Sequence, residues 1–286
     1  MLPTFIIIGA PKAGTTSLSR YLRGHERVFV ATMKEPSFFV AEMRWRRGRE
    51  WYERVFEDAV EESAVGEASV PYTMYPTFAG VPERMASLVP EVRLIYLMRD
   101  PIERMRSAYI QHLAEGRESA GIKDALLTNA QYSNSSRYAL QLERYLDWFP
   151  ESQLLLLTSE ALRSRRVETV NRVLSFIGVD DTAGLDLARE YNRASDKRAS
   201  RRLATTLRKV PHRSDQDSFG ERLLRRLGST RLMTRPIRPD EVAIDADLRQ
   251  RLADVLRPDV ERLRRWMEPS FTGWGLLGEQ PATSDA

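Results

Sequence analysis

The chain of 286 residues contains no cysteine. Disulfides, thiolate metal sites and thiol catalysis are therefore excluded. No run of about 18 apolar residues occurs, so no transmembrane helix is expected. The apolar run at residues 5–8 has no basic region before it and reads as a strand, not a signal peptide. Together these absences favour a reducing, cytoplasmic setting. Lysine is also scarce: it stands only at positions 12, 34, 123, 197 and 209, and the other 39 of the 44 basic residues are arginine. Two of five lysines thus fall in the first 35 residues. Lysine is a compact charge that can also give up a proton, which arginine does not do.

The net charge of +4 is unevenly spread. Residues 193–238 hold 14 basic and 4 acidic side chains, a local +10, which leaves −6 on the remainder. Such a segment is either a solvated surface stretch or a contact for an anionic ligand or acceptor.

The most informative stretch is Phe5-Ile6-Ile7-Ile8-Gly9-Ala10-Pro11-Lys12-Ala13-Gly14-Thr15-Thr16-Ser17-Leu18. An apolar run ends in a glycine-bounded loop that opens a helix, the layout of a phosphate cradle. Gly9 and Gly14 keep the spacing of a Walker A loop, G-x-x-x-x-G-K-[ST]. Lys12, however, sits inside the loop, and Thr15 holds the usual lysine position. Lys12 supplies a point charge, while Ala13, Gly14, Thr15, Thr16 and Ser17 offer backbone N–H or hydroxyl donors at a helix start.

Strand and helix patterns alternate along the chain. Strands are expected at 5–8, 28–30, 93–98 and 154–157, with a strand end and loop at 65–72. Helices are expected at 15–23, 44–58, 82–88, 136–148, 166–177 and 246–266, the last interrupted near Pro258. A helix after residue 98 starts firmly, with Asp100 as N-cap, Pro101 at N1 and Glu103 placed for a capping box. Ile102, Met105, Tyr109 and Leu113 mark its buried face. The tail from 279 reads as disordered. This order predicts an α/β, P-loop-like three-layer fold: a central parallel sheet flanked by helices, plus C-terminal helices. A single domain over 1–286 is expected, with a core at about 4–178, the basic segment at 193–238 and C-terminal helices at about 241–278.

Two further constellations carry chemistry. Arg99 closes a strand at the edge where open α/β sheets bind ligands. Ser107 lies two helical turns on, roughly 10 Å by helical rise, so both can hold one phosphate. In Lys34-Glu35-Pro36, a loop carboxylate is placed to act as a general base, although most loop glutamates are merely solvated. His25 follows a helix and reads as a cap or packing residue, whereas His112 lies on the Arg99 helix within reach of a cleft.

Assembled, these residues resemble the sulfotransferases that use 3′-phosphoadenosine 5′-phosphosulfate (PAPS), in particular the heparan-sulfate type and its soluble bacterial relatives. Residues 7–16 match that family's 5′-phosphosulfate loop. Residues 94–101, with Ser107 and Tyr109, match its 3′-phosphate segment. Lys34-Glu35-Pro36-Ser37-Phe38-Phe39 looks like its K-E-x-x-F-F element, and residues 263–274 look like the bacterial relatives' closing segment. The resemblance implies that Lys12 neutralises the bridging oxygen as the sulfonyl group departs, and that Ala13, Gly14, Thr15, Thr16 and Ser17 hold the 5′-phosphate. It implies that Arg99 and Ser107 bind the 3′-phosphate and that Glu35 takes the acceptor's proton. It places Arg198 in the late donor-binding loop. PAPS would be the donor and PAP the product, with no metal, no nucleic-acid partner and a small-molecule or carbohydrate acceptor. The chain departs from the family at Glu67-Ala68-Ser69-Val70-Pro71-Tyr72, where heparan-type enzymes carry a lysine in E-K-T-P and this chain has Ala68. Their membrane anchor and disulfide are missing as well. A P-loop kinase or NTPase and a non-catalytic anion-binding module are the alternatives; the first wants a lysine after Gly14 that is not there.

Overall fold

The computed structural model describes residues 1–179, 185, 187, 198–200 and 234–277. Its first half alternates strand and helix: β1 (Phe5–Gly9), α1 (Thr15–Arg23), β2 (Val28–Val30), α2 (Gly48–Arg54), β3 (Ala64–Ala68), α3 (Val81–Leu88) and β4 (Arg93–Met98). Four helices follow: α4 (Pro101–Ala114), α5 (Ile122–Thr128), α6 (Ala130–Asn134) and α7 (Tyr138–Leu146). Then come β5 (Leu154–Thr158), α8 (Ser159–Ser164) and α9 (Arg166–Ile177). Beyond them the described elements are a two-stranded antiparallel pair, β6 (Arg198–Ser200) with β7 (Thr234–Pro236), and the helix α10 (Ala246–Leu263).

β1 to β5 form one parallel sheet in the order β2-β3-β1-β4-β5. Residues Phe5 to Ile8 are fully buried, as a strand covered on both faces requires. The expected α/β fold with a helix-flanked parallel sheet is the one observed. The chain leaves β1 toward β2 and leaves β4 toward β5, on opposite sides. Their neighbouring carboxyl ends therefore frame the crevice at which such sheets bind ligands. One hydrophobic core surrounds the sheet. A second joins α4, α5 and α10 through Ile102, Met105, Tyr109, Leu126, Leu248 and Leu252. Among the described residues no helix is long and apolar enough to cross a membrane.

Several boundaries differ from the sequence expectation. Residues 44–58 form a 3-10 turn at Trp45–Arg47 and then the short α2, because Gly48 adopts a left-handed φ of 77° between them. Residues 65–72 resolve into β3 and a 3-10 turn at Val70–Thr73. The helix expected from 136 starts at Tyr138. The short helices α5, α6 and α8 have no strong apolar period and were not expected. Pro258 does not interrupt α10. The turn around it is anchored: Leu256, Val260 and Leu263 are buried, and the Asp259 carboxylate accepts the N–H groups of Ala139 and Leu140 at 2.9 and 3.0 Å. Asp259 thus caps α7 from another helix, and that tertiary fastening outweighs the hydrogen bond that proline removes. The tail from 279 and most of the basic segment lie outside the described residues.

Candidate active site

At the end of β1 the Thr73 side chain packs against Gly9 too closely for a Cβ. A Cβ on Gly9 would lie 1.9 Å from Thr73 Oγ1, whose hydroxyl donates to the Ile8 carbonyl. The loop then turns through Lys12 (φ 70°) and Gly14 (φ 101°), both left-handed. Gly14 is the residue before α1, and only glycine takes that conformation without steric cost. The Ser159 hydroxyl, at the start of α8, donates to the Ala13 carbonyl and ties the loop to the end of β5. α1 begins without a side-chain cap and without an acidic residue in its first turn. The Ser17 and Leu18 N–H groups donate to the Gly14 carbonyl at 2.9 and 3.2 Å, so it is the N–H groups of Thr15 and Thr16, at the positive dipole end, that face the cleft.

The loop faces a cleft of about 1190 Å³. Lys12, Ala13, Gly14, Thr15, Thr16, Ser17, Lys34, Glu35, Arg99 and Ser107 all line it. Seven cationic side chains and only two carboxylates do so among the described residues. Such a balance attracts an anionic ligand.

α4 supplies the opposite wall. Asp100 caps it as expected, accepting from the N–H groups of Ile102 and Glu103 at 2.9 and 3.1 Å. Glu103 does not close a capping box; its carboxylate sits 3.7 Å from Arg99 and 3.4 Å from Arg106. The Arg99 carbonyl accepts from the Tyr138 hydroxyl at 2.7 Å, and its Nη1 lies 3.5 Å from the Lys12 carbonyl oxygen. Lys12 Nζ donates to Gln111 Oε1 at 2.8 Å, and Gln111 Nε2 donates to Glu115 at 2.8 Å. Arg104 is 1 % exposed. It donates to Ser136 Oγ and to the Tyr132 carbonyl, and among the described residues it has no ion-pair partner. Burial works against its charge and lowers its pKa.

The third wall is the loop after β2. Phe38 and Phe39 anchor it in the core, with Phe38 stacked on Tyr52 at 4.3 Å between ring centres. Glu35 and Ser37 are both left-handed, at φ 51° and 50°. Arg44 Nη1 donates to the carbonyls of Glu35 and Pro36 at 3.0 and 2.6 Å, and Ser37 N donates to Ser69 Oγ at 2.8 Å. Glu35 remains partly exposed at the cleft.

Behind that loop lies Glu67, wholly buried on β3. It accepts from the hydroxyls of Ser69 (2.5 Å), Tyr72 (2.7 Å) and Tyr52 (3.1 Å). Burial raises its pKa to about 7, against the lowering effect of those hydrogen bonds, and the Glu35 charge adds to the rise. Between the Glu35 loop and the turn after β3 the cleft wall is apolar, with Met43, Val70, Pro71, Met74 and Phe78. Ala68 pairs with Ile7 in the sheet, and among the described residues that line the cleft the cation nearest in sequence to that wall is Lys34, beside Glu35.

His112 lines the cleft as expected, with Nδ1 2.9 Å from the Tyr132 hydroxyl; burial and then Arg117 lower its pKa. His25 is a buried turn residue that receives the Arg27 N–H. Arg198 has its backbone in β6, opposite Pro236; its side chain lies outside the described residues. Sequence reasoning missed Arg104, Gln111, Tyr138 and Ser159. The first two were accessible, because positions 104, 107 and 111 share one face of a helix. Ser159 follows a sheet strand, where the same edge rule points.

The family model for the sulfotransferase domain matches residues 2–219. Heparan sulfate glucosamine 3-O-sulfotransferase 3B1 of Mus musculus is 31% identical over 191 residues, which cover 62% of this chain and 46% of that protein. Bifunctional heparan sulfate N-deacetylase/N-sulfotransferase 4 of Mus musculus is 29% identical over 200 residues, 62% of this chain and 22% of that protein. The chain spans less than half the length of these curated relatives. Among solved structures, a sulfotransferase from Alicyclobacillus acidocaldarius aligns with a TM-score of 0.70 at 25% identity, covering 96% of this chain and 99% of that one.

Proposed function

The chain belongs to the sulfotransferase domain family, and from that premise we propose that it moves the sulfonyl group of PAPS to an acceptor hydroxyl. The observation that carries the reading is convergence: the Lys12 loop, the Arg99–Ser107 face of α4 and the Glu35 loop come from distant parts of the chain and line one cleft. Arg99 and Ser107 hold the 3′-phosphate, and the amides of Thr15 and Thr16 with the hydroxyls of Thr15, Thr16 and Ser17 hold the 5′-phosphate at the α1 N-terminus. Glu35 accepts the proton of the acceptor hydroxyl as its oxygen forms the new bond to sulfur. The bond from sulfur to the 5′-phosphate oxygen breaks in line, and Lys12 meets the negative charge that grows on that oxygen. Ala13 and Gly14 bring the loop backbone close to the same phosphate. By the resemblance, Arg198 belongs to the late donor-binding loop.

The acceptor side favours a hydroxyl on a neutral, partly apolar molecule, such as a glycolipid or natural product, over a polyanionic glycan. The apolar wall of Met43, Val70, Pro71, Met74 and Phe78 supports that choice, as does Ala68 in place of the family's lysine. A neutral carbohydrate remains within the same class of hydroxyl acceptors.

The test is a screen of acceptors with labelled PAPS on the wild type and on Glu35→Gln. Transfer is expected for the wild type and lost in the variant, with PAP affinity nearly unchanged by calorimetry. Normal turnover by Glu35→Gln would remove Glu35 from the mechanism, and absence of any PAP binding would overturn the donor assignment.

A further inference from the structure

Glu67 touches neither the cleft nor the proposed substrates, yet it is a fully buried carboxylate with three hydroxyl donors. Buried acids are unfavourable unless they are paired, and a core strand has no need of one. What distinguishes this acid is one of those donors, Ser69. The Ser69 hydroxyl has one hydrogen and two lone pairs. Its hydrogen goes to Glu67 at 2.5 Å, so a lone pair faces the Ser37 N–H at 2.8 Å. Ser37 is 2 % exposed, and its amide has no water to turn to. That amide closes a turn in which Glu35 and Ser37 both occupy the left-handed region, unfavourable for residues with a Cβ. Arg44 holds the same turn from its carbonyl side.

We propose that Glu67 and Ser69 are positioning residues for Glu35: the carboxylate fixes the direction of the Ser69 hydroxyl, and Ser69 pins the turn that presents Glu35 to the cleft. The inference rests on Glu35 being the base. The carboxylate is itself held by Tyr52 from α2 and Tyr72 from the turn after β3; Glu35 and Tyr145 of α7 are the other titratable groups that act on it or are acted on by it. Relay and donor site are separate, because none of Glu67, Ser69, Tyr52 and Tyr72 lines the cleft.

The experiment compares Ser69→Ala, Glu67→Leu, Glu67→Gln and Glu35→Gln, each checked for folding, in turnover with PAPS and in PAP binding. Ser69→Ala and Glu67→Leu are expected to lower kcat about tenfold or more, since a small displacement of a reacting group is enough. PAP affinity and the KM for PAPS should stay at wild-type values, a split that general loosening of the fold would not give. Glu67→Gln keeps an oxygen for the Ser69 hydroxyl and should recover most of the kcat lost in Glu67→Leu. Wild-type kcat in Ser69→Ala, or a Glu67→Gln as slow as Glu67→Leu, would overturn the relay. If Glu67→Leu does not fold, Ser69→Ala decides alone. An inactive Glu35→Gln beside a fully active Ser69→Ala rejects only the relay; an active Glu35→Gln rejects the base itself.

Discussion

The Lys12 ammonium group donates to Gln111 Oε1 at 2.8 Å, joining the loop after β1 to the third turn of α4. The amide oxygen is neutral, so this bond orients the amine and itself cancels none of its charge. The contact also spans the switch point of the sheet, where β1 and β4 end side by side. Lys12 and α4 are thereby fixed to each other across the cleft.

Replacing Lys12 with Met keeps the bulk of the side chain and removes the charge. The loss should appear mainly in kcat, by roughly 100- to 1000-fold, the usual effect of deleting one donor to developing negative charge. PAP affinity should fall far less, because the α1 N-terminus and Arg99 still hold the phosphates. Turnover with labelled PAPS and calorimetry with PAP separate the two. An equal loss in both would make Lys12 a ground-state ligand only.

Arg99 is fastened by its backbone to Tyr138 and extends its guanidinium between the Lys12 carbonyl and Glu103. Arg99→Ala should weaken PAP binding by about 1.5–3 kcal/mol, the range for a hydrogen bond to a charged group. Binding of adenosine 5′-phosphate, which lacks the 3′-phosphate, should change little. Arg99→Lys should restore only part of the affinity, since a point charge cannot make a bidentate contact. Equal losses for both nucleotides would show that Arg99 does not read the 3′-phosphate.

Much of this site was legible in the chain because it lies at the ends of strongly patterned elements. The apolar run before Gly9, the cap at Asp100 and the strand ending at Met98 are local signals, and they placed Lys12 and Arg99 on one sheet edge. Glu35 was harder. Its loop has no period, and only the resemblance singled it out from other loop carboxylates. Glu67 could not be read at all, because its meaning depends on Tyr52, Ser69 and Tyr72 closing around it in three dimensions. Pro258 misled for the same reason: its neighbour Asp259 is tied to α7, a contact 120 residues away in sequence.

Glu67 also gives the fold a pH dependence whose sign is fixed by its burial. Its ordinary carboxylic value is 4.5, and in the folded protein burial raises it to about 7, with Glu35 adding to the rise. Between those values the unfolded chain has lost the proton that the folded chain still holds. The favourable contribution of the neutral acid is therefore fully present below 4.5 and is lost as the pH rises through about 7. A shift of this size corresponds to roughly 3 kcal/mol at most. Glu67→Gln cannot ionise, so its unfolding midpoint in urea should fall less than that of the wild type between pH 5 and pH 7.5. Tyr52, Tyr72 and Tyr145 face the carboxylate but have pKa values raised above their usual range, so they stay neutral throughout that window. Parallel pH curves for wild type and Glu67→Gln would mean that the buried carboxyl titrates as an ordinary one, and that its three hydroxyl donors fully offset its removal from water.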